Sequence, residues 1–106
     1  MYQYRATIDR VIDGDTVDVR VDLGFHVGLK VRTRLFGLDA PEVSTPEGRV
    51  SRDRLRERLP AGAEVRIETF KAAGDKYGRW LATIWLDGAS VNEWLVVEGL
   101  AGLYGG

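Results

Sequence analysis

The chain has 106 residues, with 15 lysines and arginines against 16 aspartates and glutamates and a net charge of −1. That length fits one domain spanning 1–106, and the near-neutral balance argues against a partner held by bulk positive charge. With no cysteine and one histidine, His26, disulfides, thiolate metal sites and His-rich zinc sites are excluded. No apolar run approaches the roughly 20 residues that cross a membrane. The opening Met1-Tyr2-Gln3-Tyr4-Arg5 passes directly into an alternating pattern, without the apolar core of a signal peptide. With Met1 as the native start the expected location is cytoplasmic; an export signal removed upstream would instead mean secretion.

Residues Tyr4 to Ile12 read as a first strand, and Asp13-Gly14-Asp15 as a turn. Val17, Val19, Val21 and Leu23 then alternate with Asp18, Arg20 and Asp22, the pattern of a half-buried strand. After a loop from Gly24 to Gly28, a third strand runs from Lys30 to Leu38, with Gly37 near its end. Ser44-Thr45-Pro46-Glu47 carries the chemistry of a helix start: a hydroxyl cap, an early proline and an acid in the first turn. This helix is expected to reach Leu59 and to bury a narrow stripe of Val50, Leu55 and Leu59, leaving its arginines in solvent. Glu64 to Phe70 and Trp80 to Leu86 read as two more strands joined by a polar loop. Ser90-x-x-Glu93 is a capping box that opens a second helix ending at Gly99. Five strands with a helix between the third and fourth are most simply closed into a barrel, because closure removes aggregation-prone edges. The order fits a mainly β, OB-fold five-stranded Greek-key barrel, although order alone does not separate it from other small α+β folds.

Three local clusters draw attention: Asp13-Gly14-Asp15-Thr16, then Leu35 through Glu42, then Asp75-Lys76-Tyr77-Gly78-Arg79. Taken singly, each reads as a turn or a strand end with a capping acid. Together they hold the parts that phosphodiester hydrolysis needs. Hard cations take several oxygen ligands, which Asp15 and Asp39 can begin to supply. Arginines such as Arg34 and Arg79 grip phosphate through parallel N–H groups, and Glu42 is a third acid able to orient or deprotonate water.

Asp13-Gly14-Asp15-Thr16-Val17, Arg34 with Asp39-Ala40-Pro41-Glu42, Asp75-Lys76-Tyr77-Gly78-Arg79, and Val91-Asn92-Glu93 resemble, in that order, the staphylococcal nuclease-like (thermonuclease) family. The resemblance runs from about Arg5 to Tyr104. It implies an OB-fold barrel with Ca²⁺ at one end, ligated by the carboxylates of Asp15 and Asp39 and by the backbone carbonyl of Ala40. It further implies Glu42 as general base or water-orienting group, Arg34 and Arg79 on the phosphoryl oxygens, and Lys76 and Tyr77 on a neighbouring phosphate. Tyr104 would stand in for an aromatic residue that holds a base. The implied activity is a Ca²⁺-dependent endonuclease that cuts DNA and RNA without sequence preference and leaves 3′-phosphate ends. The competing reading is a catalytically weak barrel that binds nucleic acid. Holding five catalytic-type residues together favours the enzyme.

The chain also departs from the family. Ala40 stands where threonine is frequent, which removes a hydroxyl beside the expected metal. The hairpin from Asp22 to Lys30 is longer, and the sequence stops at Gly105-Gly106 where longer members continue into a third helix. A monomer is the family's default, and a bare C-terminus admits a dimer. Trp85 and Trp94 are expected in the core, Trp80 exposed beside Arg79, and His26 solvated in its loop.

Overall fold

The computed structural model describes residues 2–70 and 80–104. Its elements are β1 (Tyr2–Asp13), β2 (Thr16–Asp22), β3 (Gly28–Leu35), β4 (Leu38–Asp39), α1 (Pro46–Arg58), β5 (Glu64–Phe70), β6 (Trp80–Leu86), β7 (Ala89–Ser90), α2 (Val91–Val97) and β8 (Gly102–Leu103). The five long strands lie in the order β3-β2-β1-β5-β6, and β3 then pairs with β6 to close the ring. Every neighbouring pair is antiparallel except this closing one, in which Thr33, Arg34 and Leu35 run parallel to Trp80, Leu81 and Ala82. The chain therefore folds as the expected five-stranded OB-type barrel with two helices.

Alternation places the core. Val17, Val19 and Val21 of β2, Ile67 of β5 and Ile84 of β6 all point into the ring and are buried. β1 bends around that ring through two shifts of register, between Ile8 and Arg10 and between Val11 and Asp13. Such an irregularity re-aims a strand without ending it.

α1 begins as expected. Thr45 caps it by accepting the Gly48 N–H at 3.1 Å, Pro46 occupies the first turn, and Arg56 and Arg58 sit in the last. Its buried face differs from the expected stripe. Gly48, Ser51, Leu55 and the capping Leu59 face the barrel, while Val50 is 54% exposed. Val50 and Leu55 are five residues apart, about 1.4 helical turns, so one stripe cannot hold both at its centre. The small residues Gly48 and Ser51 occupy the place a bulky stripe would fill. This lets the helix start lie close against the loops that precede it.

α2 opens on the predicted cap, with Ser90 Oγ accepting the Glu93 N–H at 3.1 Å. Asn92 in its first turn is buried and saturates its amide: Oδ1 accepts from the Ile84 N–H, and Nδ2 donates to the carbonyls of Phe36 and Ala82. Trp94 is half-buried with the guanidinium groups of Arg54 and Arg58 over its ring at 5.7 and 5.1 Å. After α2 the chain runs into β8, which pairs Leu103 with Leu38 and Gly102 with Asp39. No helix among the described residues is long and apolar enough to cross a membrane.

Candidate active site

The site forms where β1 turns into β2 and where β3 hands over to β4. At the first corner the Asp13 carboxylate accepts the Asp15 N–H at 3.0 Å, tightening the turn around Gly14. Asp15 is only 6% exposed. Its carbonyl accepts the Leu35 N–H at 2.8 Å, locking the corner to β3. Its carboxylate accepts the Thr16 hydroxyl at 3.2 Å and the Ala40 N–H at 3.1 Å.

Arg34 lies across from Thr16 on β2 and from Leu81 on β6. One of its terminal nitrogens donates to Asp39 Oδ1 at 3.0 Å and lies 3.6 Å from Asp15 Oδ2. A single guanidinium thus bridges two carboxylates, one from the β1–β2 turn and one from β4. The electrostatics show that one cation does not compensate Asp15 fully. Burial pushes its carboxyl up to about 6, aided by the hydrogen bond and charge of Asp13, while the Ala40 N–H and the Arg34 charge pull downward.

Glu42 lies two residues beyond Ala40, with an exposed side chain. Its backbone is pinned: its carbonyl accepts both the Thr45 N–H at 2.9 Å and the Thr45 hydroxyl at 2.6 Å. Among the described residues its carboxylate takes part in no hydrogen bond or ion pair, which leaves it available to a ligand. Tyr104 is 62% exposed and donates its N–H to the Gly37 carbonyl at 2.9 Å, on the strand pairing that also holds Asp39. Lys76, Tyr77 and Arg79 lie outside the described residues. Trp80, the next residue, is 42% exposed, as expected.

Sequence reasoning overlooks the residues that hold this arrangement. A Cβ on Gly14 would stand 2.8 Å from the Ala40 Cβ and 2.9 Å from the Ser51 Cβ. A Cβ on Gly48 would collide with the carbonyl oxygens of Glu42 and Pro41. Ser51 is buried on α1 and donates to the Leu100 carbonyl at 2.6 Å, tying α1 to the segment after α2. A glycine inside a helix costs stability, so Gly48 is itself a readable signal of close approach. Gly48→Ala is expected to lower stability by about 2–4 kcal/mol, because both clashing atoms are backbone and cannot swing aside. A melting temperature unchanged by this substitution would contradict that packing.

The donor set offered to a metal is all oxygen. Asp15 and Asp39 supply carboxylates on either side of Arg34, and Ala40 meets Asp15 through its N–H. No group of three or more His, Cys, Asp or Glu suited to holding a metal occurs among the described residues. A cation here would therefore complete its shell largely with water. Carboxylate oxygens are the donor type that hard cations take.

A closed OB-type barrel whose strand ends gather two carboxylates around one arginine, with a free glutamate beside them, defines the class of protein. The family of staphylococcal nuclease homologues matches residues 32–105, and the chain belongs to that family. It is 39% identical over 98 residues to a protein named thermonuclease from Staphylococcus hyicus, an overlap of 87% of this chain and 54% of the relative. It is 38% identical over 103 residues to endonuclease YncB of Bacillus subtilis (strain 168), covering 91% of this chain and 46% of the relative. A third relative, an uncharacterized endonuclease of Escherichia coli O157:H7, is 38% identical over 96 residues, 90% of this chain and 58% of its own length. The chain spans about half the length of the curated relatives it matches.

Proposed function

We propose that this chain is a Ca²⁺-dependent endonuclease that hydrolyses phosphodiester bonds of DNA and RNA without sequence preference. The observation that carries the reading is the bridge of Arg34 between Asp15 and Asp39, with the Ala40 backbone on Asp15. Family membership and relatives named thermonuclease and endonuclease support it.

In this reading Asp15, Asp39 and the Ala40 carbonyl hold Ca²⁺, which when bound supplies positive charge to the phosphate oxygens. Arg34 and Arg79 bind the non-bridging oxygens and stabilise the charge that grows there. Glu42 accepts a proton from water as the oxygen attacks phosphorus in line. The bond from phosphorus to the 5′ oxygen breaks, and the leaving oxygen gains a proton, giving a 5′-hydroxyl and a 3′-phosphate. Lys76 and Tyr77 contact a neighbouring phosphate, and Tyr104 stacks beside a base. In this reading the protein acts without a membrane, as a monomer by default and with a dimer as the alternative.

Digestion of single-stranded DNA, double-stranded DNA and RNA with Ca²⁺, beside a chelator control, tests the reading. Cleavage of all three that stops in chelator, with products bearing 3′-phosphates, is the expected result. Products ending in 5′-phosphates would contradict the bond assignment. A folded protein that cuts nothing would instead leave a barrel that only binds.

A further inference from the structure

The barrel carries a second concentration of charge away from Asp15 and Arg34. Along β3, Lys30, 4.0 Å from Asp9, and Arg32, paired with Asp18 at 2.8 Å, alternate on the outward face, and Lys30 stands across from Arg20. Beyond them Arg5 of β1 lies directly across from Arg66 of β5, which in turn lies across from Trp85 of β6. Arg5, Arg20, Arg66, His26 and Trp85 line a cavity of about 840 Å³. It opens at the opposite end of β2 from Thr16, about 20 Å along the strand at its rise per residue.

The charges of this cavity are not compensated from within the fold. Like charges directly opposed across a strand pair destabilise it, yet neither Arg5 nor Arg66 takes part in an ion pair or hydrogen bond among the described residues. Nor does Arg20. Exposed guanidinium groups left over in this way and gathered in a concave site are suited to an anion. Asp22, Glu64, Glu68 and Asp87 line the same space, so it is no bulk polyanion trough. Asp22 already accepts the Gly24 N–H at 2.8 Å. The remaining acids offer acceptors to hydroxyl and amino groups beside a phosphate.

We infer that this cavity is a distal subsite that takes one nucleotide unit of the substrate strand, several units away from the bond that is cut. Arg5 and Arg66 grip its phosphate, relieving their mutual repulsion. This rests on the nuclease reading for the word substrate, but binding at the cavity can be measured without cleavage. Barrels of this kind engage about 4–16 nucleotides, so a dinucleotide at the catalytic site falls short of the cavity and a strand of about 12 reaches it.

Arg5→Gln, Arg66→Gln and the double variant test the assignment. Each is expected to melt no lower than the parent, since a repulsive pair is removed. The advantage in KM of the longer strand over the dinucleotide should shrink about tenfold for each arginine, the size of one charge-assisted hydrogen bond to phosphate. In chelator, where nothing is cut, fluorescence anisotropy with the same labelled strand should show weaker binding. The slope of log Kd against log salt should fall by about 0.7 for each arginine replaced. Folded variants with unchanged affinity and unchanged salt slope would overturn the subsite. If the parent protein cut nothing at all, the hydrolytic reading would fail alone, and the anisotropy would still decide this one. A parent that bound no strand would overturn it outright.

Discussion

Glu42→Gln should lower turnover by about 10²–10⁴-fold, the range of a lost general base, while leaving fold and cation affinity intact. The separation is possible because of how Glu42 is built in. Its position is set entirely through its backbone, by the two hydrogen bonds from Thr45 and by the close approach of Gly48. Its side chain holds nothing together among the described residues, so an isosteric amide removes a base and little else. Arg34 is the instructive contrast. Truncating it would strip the cation from both Asp15 and Asp39, so stability, metal affinity and phosphate binding would change together. Steady-state kinetics and thermal melting on Glu42→Gln, at saturating Ca²⁺, check the claim. Full activity in the glutamine variant would remove Glu42 from the chemistry.

Asp15→Asn carries the second large effect, and its sign is unusual for a site residue: without metal, the variant should be the more stable protein at neutral pH. The Asp15 carboxyl titrates at about 6 in the folded chain against an ordinary value of 3.8. Between these values the folded state keeps a proton that the unfolded state has released. Stability is therefore fullest below about pH 4, falls as pH rises towards 6, and stays reduced above it. The difference corresponds to roughly 3 kcal/mol for a group this buried. The amide has no proton to lose, so in chelator its unfolding free energy should lack this fall between pH 4 and pH 6. Adding Ca²⁺ at pH 7.5 should raise the melting temperature of the parent and leave the variant unmoved. Equal pH dependence in the two proteins would show that Asp15 is not the strained group.

Much of this architecture is readable from alternation alone. The strict pattern of Val17, Val19 and Val21 and the strand from Glu64 are placed correctly because their inward residues are β-branched and their outward ones mostly charged. The strand from Trp80 is placed because Ala82 and Ile84 alternate with exposed or half-buried residues. The helix caps at Thr45 and Ser90 are equally legible, since a cap is a local arrangement of one hydroxyl and one or two N–H groups. The buried face of α1 is not. Its centre is made of Gly48 and Ser51, residues whose value lies in what approaches them, and a pattern of apolar side chains passes over that. Nor does the sequence show that β3 lies parallel to β6, or that the two-residue strands β4 and β8 clasp Asp39. Both are pairings between distant segments with no local signature. At the site, residue types announce Asp15, Arg34, Asp39 and Glu42 as candidates. That one nitrogen of Arg34 serves two carboxylates emerges only from the three-dimensional ring. Asn92, visible in the sequence only as part of a motif, proves to be the amide that joins α2 to β6 and to the carbonyl of Phe36.

The parallel seam between β3 and β6 has a consequence for how the chain comes into service. All the other long-strand pairings are antiparallel, and the β1–β2 and β2–β3 hairpins are local, whereas the seam joins residues 33–35 to residues 80–82 and β1 must find β5 across a still longer stretch, Tyr2 to Thr69. Pairings of long sequence separation bear the greatest loop-closure entropy and are slow to form. Arg34 stands in that seam, opposite Leu81. A nascent or partly unfolded chain can hold its hairpins, and even its buried acids, without having the arginine in place. Under the proposed chemistry such a chain is harmless to the nucleic acid around it, and the ability to cut arrives only once β3 and β6 have met.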